Sequence, residues 1–290
     1  MKLNVGLFAF LLCGLLSFTS CSDDDDATNG ATPNEQIVNA FKKQFPNATE
    51  VKWSTRNGYS VASFRLAQNP TGETNEAWYE ANGECPLTEL EIPSFDQLPA
   101  KVQEGYNASI FGQEGWAIDD IDALYRLNMA LVFKIEVEKA GQPDYDLLFS
   151  EEGVLISAKV DNDDDDDNVP VIIPTAIREF VNQHLSGAEL LDYDKEDGEL
   201  ELEVSYQNHL MELYFNTSYK FLRAEEEVQE ADLPDAVKTA LEQFTAAWEV
   251  DDVMLITYAD KSVVYAIDLE NKTTDQEKIV KIKADGTLIP

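Results

Sequence analysis

The chain reads as one structural unit written twice. Leu98-Pro99 and Leu233-Pro234 both open a helical period, 135 residues apart, and Trp78 and Leu213 each precede those pairs by 20. Glu152-Gly153-Val154-Leu155-Ile156 matches Asp285-Gly286-Thr287-Leu288-Ile289 at an offset of 133. Chance supplies one such match far more readily than three in order. A period this long limits the fold to two copies of one architecture.

Each copy is itself two rounds of helix followed by strands. Thr32 and Glu35 form a capping box around Pro33, and Ile37, Phe41 and Phe45 recur every four residues until Pro46 stops the helix. Strand signals follow around Val51 to Trp53, Tyr59 to Leu66 and Ala77 to Tyr79, with hairpin-type turns at Asn57-Gly58 and Asn82-Gly83. From Asp96 a second helical face runs through Leu98, Val102 and Tyr106; Leu131 to Val137, Tyr145 to Phe149 and Val154 to Val160 then read as strands. The second copy repeats this. Pro174 opens a helix with Ile177, Val181 and Leu185, and Leu200, Leu202, Val204 and Tyr206 alternate with Glu199, Glu201, Glu203 and Ser205 as a half-buried strand. Leu210 to Phe215 and Tyr219 to Ala224 are further strands. Asp232 caps a helix with Val237, Leu241 and Phe244, before strands at Met254 to Tyr258, Val263 to Leu269 and Lys278 to Lys283.

Between the copies, Asp161 to Asn168 is aspartate and asparagine with nothing apolar, as expected for a linker extended by its own charge. It lacks the sixth-position glycine and twelfth-position glutamate of a calcium-binding helix-loop-helix. The N-terminus carries Lys2, an apolar run from Val5 to Leu16, small residues at Thr19 and Ser20, then Cys21 and four aspartates. That order marks a signal peptide with a cysteine at the cut. Phe18-Thr19-Ser20-Cys21 resembles a relaxed bacterial lipobox, and the following acids resemble the export tag of surface lipoproteins of the Bacteroidetes. The expected organisation is a signal peptide over 1–20, an acidic tether over 21–33, domains over 34–160 and 170–290, and a linker over 161–169. The resemblance implies lipidation of Cys21 and a body anchored by lipid to the outer membrane, exposed at the cell surface.

Removing residues 1–20 takes away one cation and no acid, so the formal charge moves from -35 to -36. Such a body repels phosphate backbones, which argues against nucleic acid as a partner. It also repels anionic headgroups, leaving membrane attachment to the lipid. Once Cys13 leaves with the signal and Cys21 is acylated, Cys85 has no disulfide partner, so the core must hold the fold.

The order of a helix near Leu-Pro, strands with apolar alternation and a closing acidic-glycine turn resembles the PepSY-like domain, also described as β-lactamase-inhibitor-like, over residues 34–160 and again over 170–290. The resemblance implies an α+β fold: tandem domains, each an antiparallel sheet with helices packed on one face. It does not imply inhibition of a β-lactamase, because a shared fold does not fix function.

No reaction is legible. His184 and His209 are 25 residues apart and neither has a second ligand at zinc spacing. No Gly-x-Ser-x-Gly elbow and no glycine-rich phosphate loop occurs, so neither catalysis nor a cofactor is expected. Aromatic residues are the remaining signal. Alternation places most of them in the core, while Trp53, Trp78, Tyr79 and Trp116 are the candidates for a ligand-binding surface on a sheet face without helices. The reading is a non-catalytic module that binds or inhibits another protein or peptide; the alternative is a glycan-binding accessory lipoprotein of a polysaccharide-uptake system.

Overall fold

The computed structural model describes residues 32–66, 74–113, 115–161, 169–196, 198–274 and 276–289. Cys21, most of the tether and the linker aspartates at 163–167 lie outside the described residues. Two antiparallel sheets of eight strands each make up the described fold. The first contains β1 (Ala48–Arg56), β2 (Tyr59–Leu66), β3 (Asn75–Tyr79), β4 (Leu87–Glu91), β5 (Ala117–Arg126), β6 (Val132–Glu138), β7 (Tyr145–Ser150) and β8 (Leu155–Val160). The second contains β9 (Glu189–Glu196), β10 (Glu199–Tyr206), β11 (His209–Asn216), β12 (Phe221–Glu227), β13 (Trp248–Tyr258), β14 (Val263–Asn271), β15 (Glu277–Lys283) and β16 (Leu288–Ile289). Within each sheet every strand pairs with its neighbours in sequence.

Among the described residues four α-helices punctuate this order: α1 (Glu35–Gln44), α2 (Ala100–Ala108), α3 (Thr175–His184) and α4 (Asp235–Leu241). Each places two residues, four apart, into a cluster with strands that follow it. Ile37 and Phe41 of α1 meet Ala62, Phe64, Ala77 and Tyr79, while Val102 and Tyr106 of α2 meet residues of β5, β6 and β7 such as Ile121, Ile135 and Phe149. In the second sheet Ile177 and Val181 meet Leu202, Leu213 and Phe215, and Val237 and Leu241 meet Val253, Ile267 and Ile282. Full burial of side chains such as Ile135 or Phe149 contributes ~1.5–3 kcal/mol each.

Several local expectations change. Asn34, not Thr32, caps α1, because its side chain accepts from Ile37 N at 3.0 Å and satisfies a first-turn amide. Around Asp96 and Asp232 the chain makes short 3-10 turns, and the helices proper start after Pro99 and Pro234. β4, β5 and β9 are not expected from the pattern. β5 carries Asp119, Asp120 and Asp122 among its apolar residues, and the acids hide the period. The repeat register also shifts at one point. Leu213 pairs with Ala224 and faces the helices, as Ala77 does opposite Thr88, whereas Trp78 faces the other way. Trp78 therefore corresponds to Tyr214, one residue beyond the match read from the sequence.

The acidic-glycine turns do correspond. Gly153 and Gly286 both have left-handed backbones, with φ of +80° and +85°. A Cβ on Gly153 would strike the Lys101 carbonyl at the start of α2, and one on Gly286 would lie 2.7 Å from the Ala236 carbonyl at the start of α4.

Candidate binding surface

Alternation gives each sheet a second face, opposite the helix clusters. On the first sheet β3 presents Glu76 and Trp78 there, β4 presents Leu87, Glu89 and Glu91, β5 presents Asp122, Leu124 and Arg126, and β6 presents Lys134 and Glu136, each following from the cross-strand register. Glu76 stands directly opposite Glu89, and Glu91 opposite Asp122. On the second sheet a row of carboxylates crosses four strands, with Asp192 opposite Glu203, Glu203 opposite Glu212 and Glu212 opposite Glu225. Like charges directly opposed across a sheet are destabilising, so these rows oppose folding rather than drive it.

Burial raises Glu89, Asp122 and Glu203 on these faces. Glu89 is 7% exposed, and burial followed by the charges of Asp122 and Glu76 lifts its pKa to about 8. Burial, then the neighbouring Asp120, lifts Asp122 to about 7. Burial, then Asp192 and Glu201, lifts Glu203 to about 8. Lys134 holds its proton more tightly than usual: burial pulls the other way, but Asp146, Asp122, Glu89 and Glu136 outweigh it.

A cleft of about 410 Å³ lies between this face of the first sheet and β9, the edge strand of the second. Glu89, Arg126, Lys134, Asp146 and Lys159 line it from the first sheet, and Asp192 and Asp194 from β9. Arg126 crosses the boundary. Its side chain is 6% exposed, and the guanidinium lies 2.8 Å from Asp192 and also donates to the Leu191 carbonyl. Ala130 N donates to Leu190 O at 2.8 Å beside it, and Lys159 reaches Asp194 at 2.5 Å.

The aromatic candidates do not form one platform. Trp53 and Tyr79 pack with Phe41 on the helix side, Tyr79 at 1% exposure with its hydroxyl donating to Gln44 at 2.9 Å. Trp116 packs edge-on against Phe111 and Tyr145, within the α2 cluster. Of the four, Trp78 lies on the opposite face, at 0% exposure beneath Arg56, whose guanidinium is 4.5 Å from the ring centre. The matching pair in the second sheet is Tyr214 under Arg223, at 3.7 Å. Trp78 and Tyr79 are thus enclosed by the fold, because the strand that carries them lies mid-sheet. The residues that sequence reasoning missed are charged: Glu89, Asp122, Arg126, Lys134 and Glu203. Only their place in an alternating run could have shown them.

Cys85 is a free thiol, raised by burial. His184 stacks on Phe180 and His209 contacts Glu226 at 2.7 Å. Among the described residues no three His, Cys, Asp or Glu side chains are grouped to hold a metal ion. No helix among them is long and apolar enough to cross a membrane.

The family model described as "Putative beta-lactamase-inhibitor-like, PepSY-like" matches residues 66–157 and 222–289, more than half of the chain. The chain belongs to this PepSY-like family. Among solved structures it is similar to a BLIP-like protein from Bacteroides fragilis, with 33% identity over 51% of this chain and 100% of that one, at a TM-score of 0.44. It is also similar to a DUF2874 family protein from Bacteroides ovatus, with 25% identity over 49% of this chain and 96% of that one, at a TM-score of 0.44. No curated protein matches the chain.

Proposed function

We propose that this is a non-catalytic lipoprotein of two PepSY-like modules, 34–160 and 170–290, whose helix-free sheet faces bind a basic surface of another protein. Helices cover one face of each sheet, and the carboxylate row lies on the opposite face of the second. Cys21 carries the lipid, and the body stands at the outer face of the outer membrane. The observation that carries the reading is the row Asp192, Glu203, Glu212 and Glu225, four carboxylates directly opposed across adjacent strands. Arg126 pairs with Asp192 and Arg223 with Glu225, so the repulsion that a cationic partner would relieve on binding is that of the middle pair, Glu203 and Glu212.

The test is capture from outer-membrane extract with the lipid-free body, repeated for the double variant Glu203→Lys/Glu212→Lys and for Glu179→Lys/Glu242→Lys on the exposed helix side. A salt-sensitive protein partner lost with the first pair and kept with the second is the expected result. Equal loss with both pairs would reduce the interaction to net charge, and capture of polysaccharide alone would replace this reading with the glycan-binding one. Replacing Cys21 with Ala should leave an unprocessed precursor; normal trimming and release of that variant would refute the lipid anchor.

A further inference from the structure

We propose that the cleft between the two sheets is a receptor for an organic cation, an ammonium or guanidinium group, with the Glu89 carboxylate as its counter-charge. Three close ion pairs line the cleft, and Glu89 belongs to none of them. Arg126 holds Asp192 at 2.8 Å, Lys159 holds Asp194 at 2.5 Å, and Lys134 holds Asp146 at 3.4 Å. Glu89 lines the same cleft, is 7% exposed, and makes no hydrogen bond or ion pair within 4 Å among the described residues; Lys134 and Arg56 act on it only from further away.

The second sheet shows what a partner would look like. By strand register Glu89 corresponds to Glu225, since Glu89 lies opposite Glu76 and Glu225 opposite Glu212. Glu225 has its cation: Arg223, two residues earlier on the same strand, reaches it at 2.5 Å. At the place of Arg223 the first sheet has Leu87, which is apolar and also lines the cleft. Position by position, the first sheet keeps the carboxyl group and replaces its adjoining cation with a hydrocarbon wall.

The rest of the lining fits a cation on an aliphatic stem. Leu87, Leu124, Leu148 and Val171 supply apolar surface beside Glu89. Lysine and arginine side chains bury their methylenes on such surface while the charged head finds its partner. A volume of about 410 Å³ lies within the range of small-ligand sites. The cation can arrive free or on a partner chain. The inference rests on the proposed recognition of a basic protein only for the second source.

Isothermal titration at neutral pH, in two buffers of different ionisation heat, tests this with cadaverine, agmatine, and blocked Gly-Lys-Gly and Gly-Arg-Gly, against blocked Gly-norleucine-Gly as the neutral control. The cationic probes should bind and the neutral one should not. Binding should release protons, because Glu89 is mostly protonated near neutrality and a cation favours its ionised form. Glu89→Gln should weaken binding by at least about tenfold and abolish the proton release. Val171→Trp, which fills the cleft without changing a charge, should block binding while circular dichroism reports the native fold. Tighter binding of the peptides than of the amines assigns the cation to a partner chain; the reverse assigns it to a free amine. Absence of binding by every cation at millimolar concentration, or equal binding by Glu89→Gln, would overturn the proposal. If Glu89→Gln leaves peptide binding and protein capture unchanged, the subsite fails and surface recognition stands. If the cleft binds cations but no protein is captured, the subsite stands and surface recognition fails.

Discussion

Glu89 and Glu225 occupy one place in two copies of a sheet, and they differ in what stands two residues before them. Arg223 stacks on Tyr214, holds Glu199 at 2.6 Å and Glu225 at 2.5 Å, and so serves two acids and a ring together. In the first copy the cation over the matching ring is Arg56, which comes from β1 and pairs with Glu76. The ring keeps its cation when the strand of origin changes; the neighbouring glutamate keeps no direct ion pair with it. A repeated fold can therefore preserve an aromatic-cation contact while releasing one carboxyl group from it.

The helix contacts of the two copies differ as well, and this sets the largest expected effect. Gly153 approaches Lys101 and Gly105 so closely that neither glycine has room for a Cβ, whereas the second copy has Ala240 at the position of Gly105. Gly153→Ala should cost ~3–4 kcal/mol in denaturant unfolding, through both the left-handed backbone and the carbonyl clash, and Gly286→Ala ~1–2 kcal/mol. Equal costs would remove this difference between the copies. Next, Arg223→Leu should turn the second copy into a likeness of the first. It should destabilise by ~1–3 kcal/mol in denaturant unfolding.

A third expectation concerns pH. Glu89 rises from an ordinary value of 4.5 to about 8 on folding, so the folded state binds the extra proton between those values. Its contribution is complete below pH 4.5 and is lost as pH rises through 8. Chemical denaturation across that window should show a decline of ~1–3 kcal/mol that Glu89→Gln reduces. An unchanged slope in the variant would assign the decline to Asp122 and Glu203. The smallest effect on stability is expected from Leu87→Arg/Arg56→Ser, which moves the cation from β1 to β4 at constant charge. Its stability should stay within ~1 kcal/mol, while Glu89 titrates lower and the cleft loses cation binding.

The sequence made the fold far more legible than the site. Alternation from Glu199 to Tyr206 is clean because the sheet has one apolar side there, and β10 follows it. β5 is hard to see because Asp120 and Asp122 face away from the helices beside Ile121 and Ala123, and a run with so many acids has the composition of a loop. The aromatic residues were visible as candidates, but Trp78 and Tyr79 are enclosed by strands that only the register reveals. Glu89 was hidden for the opposite reason. Its interest lies in a missing partner, and the comparison that exposes it joins residues 136 positions apart.

Strictly consecutive pairing has a consequence for how the chain reaches this state. Each strand finds its partner one connection away, and even the longest of these connections spans only a helix and its flanking turns. Closing short loops costs little chain entropy, and ordering them in sequence lets structure grow from one end without waiting for distant residues. A polypeptide emerging gradually from a narrow channel can add hairpin to hairpin as it appears, so little unpaired strand is exposed to other chains along the way.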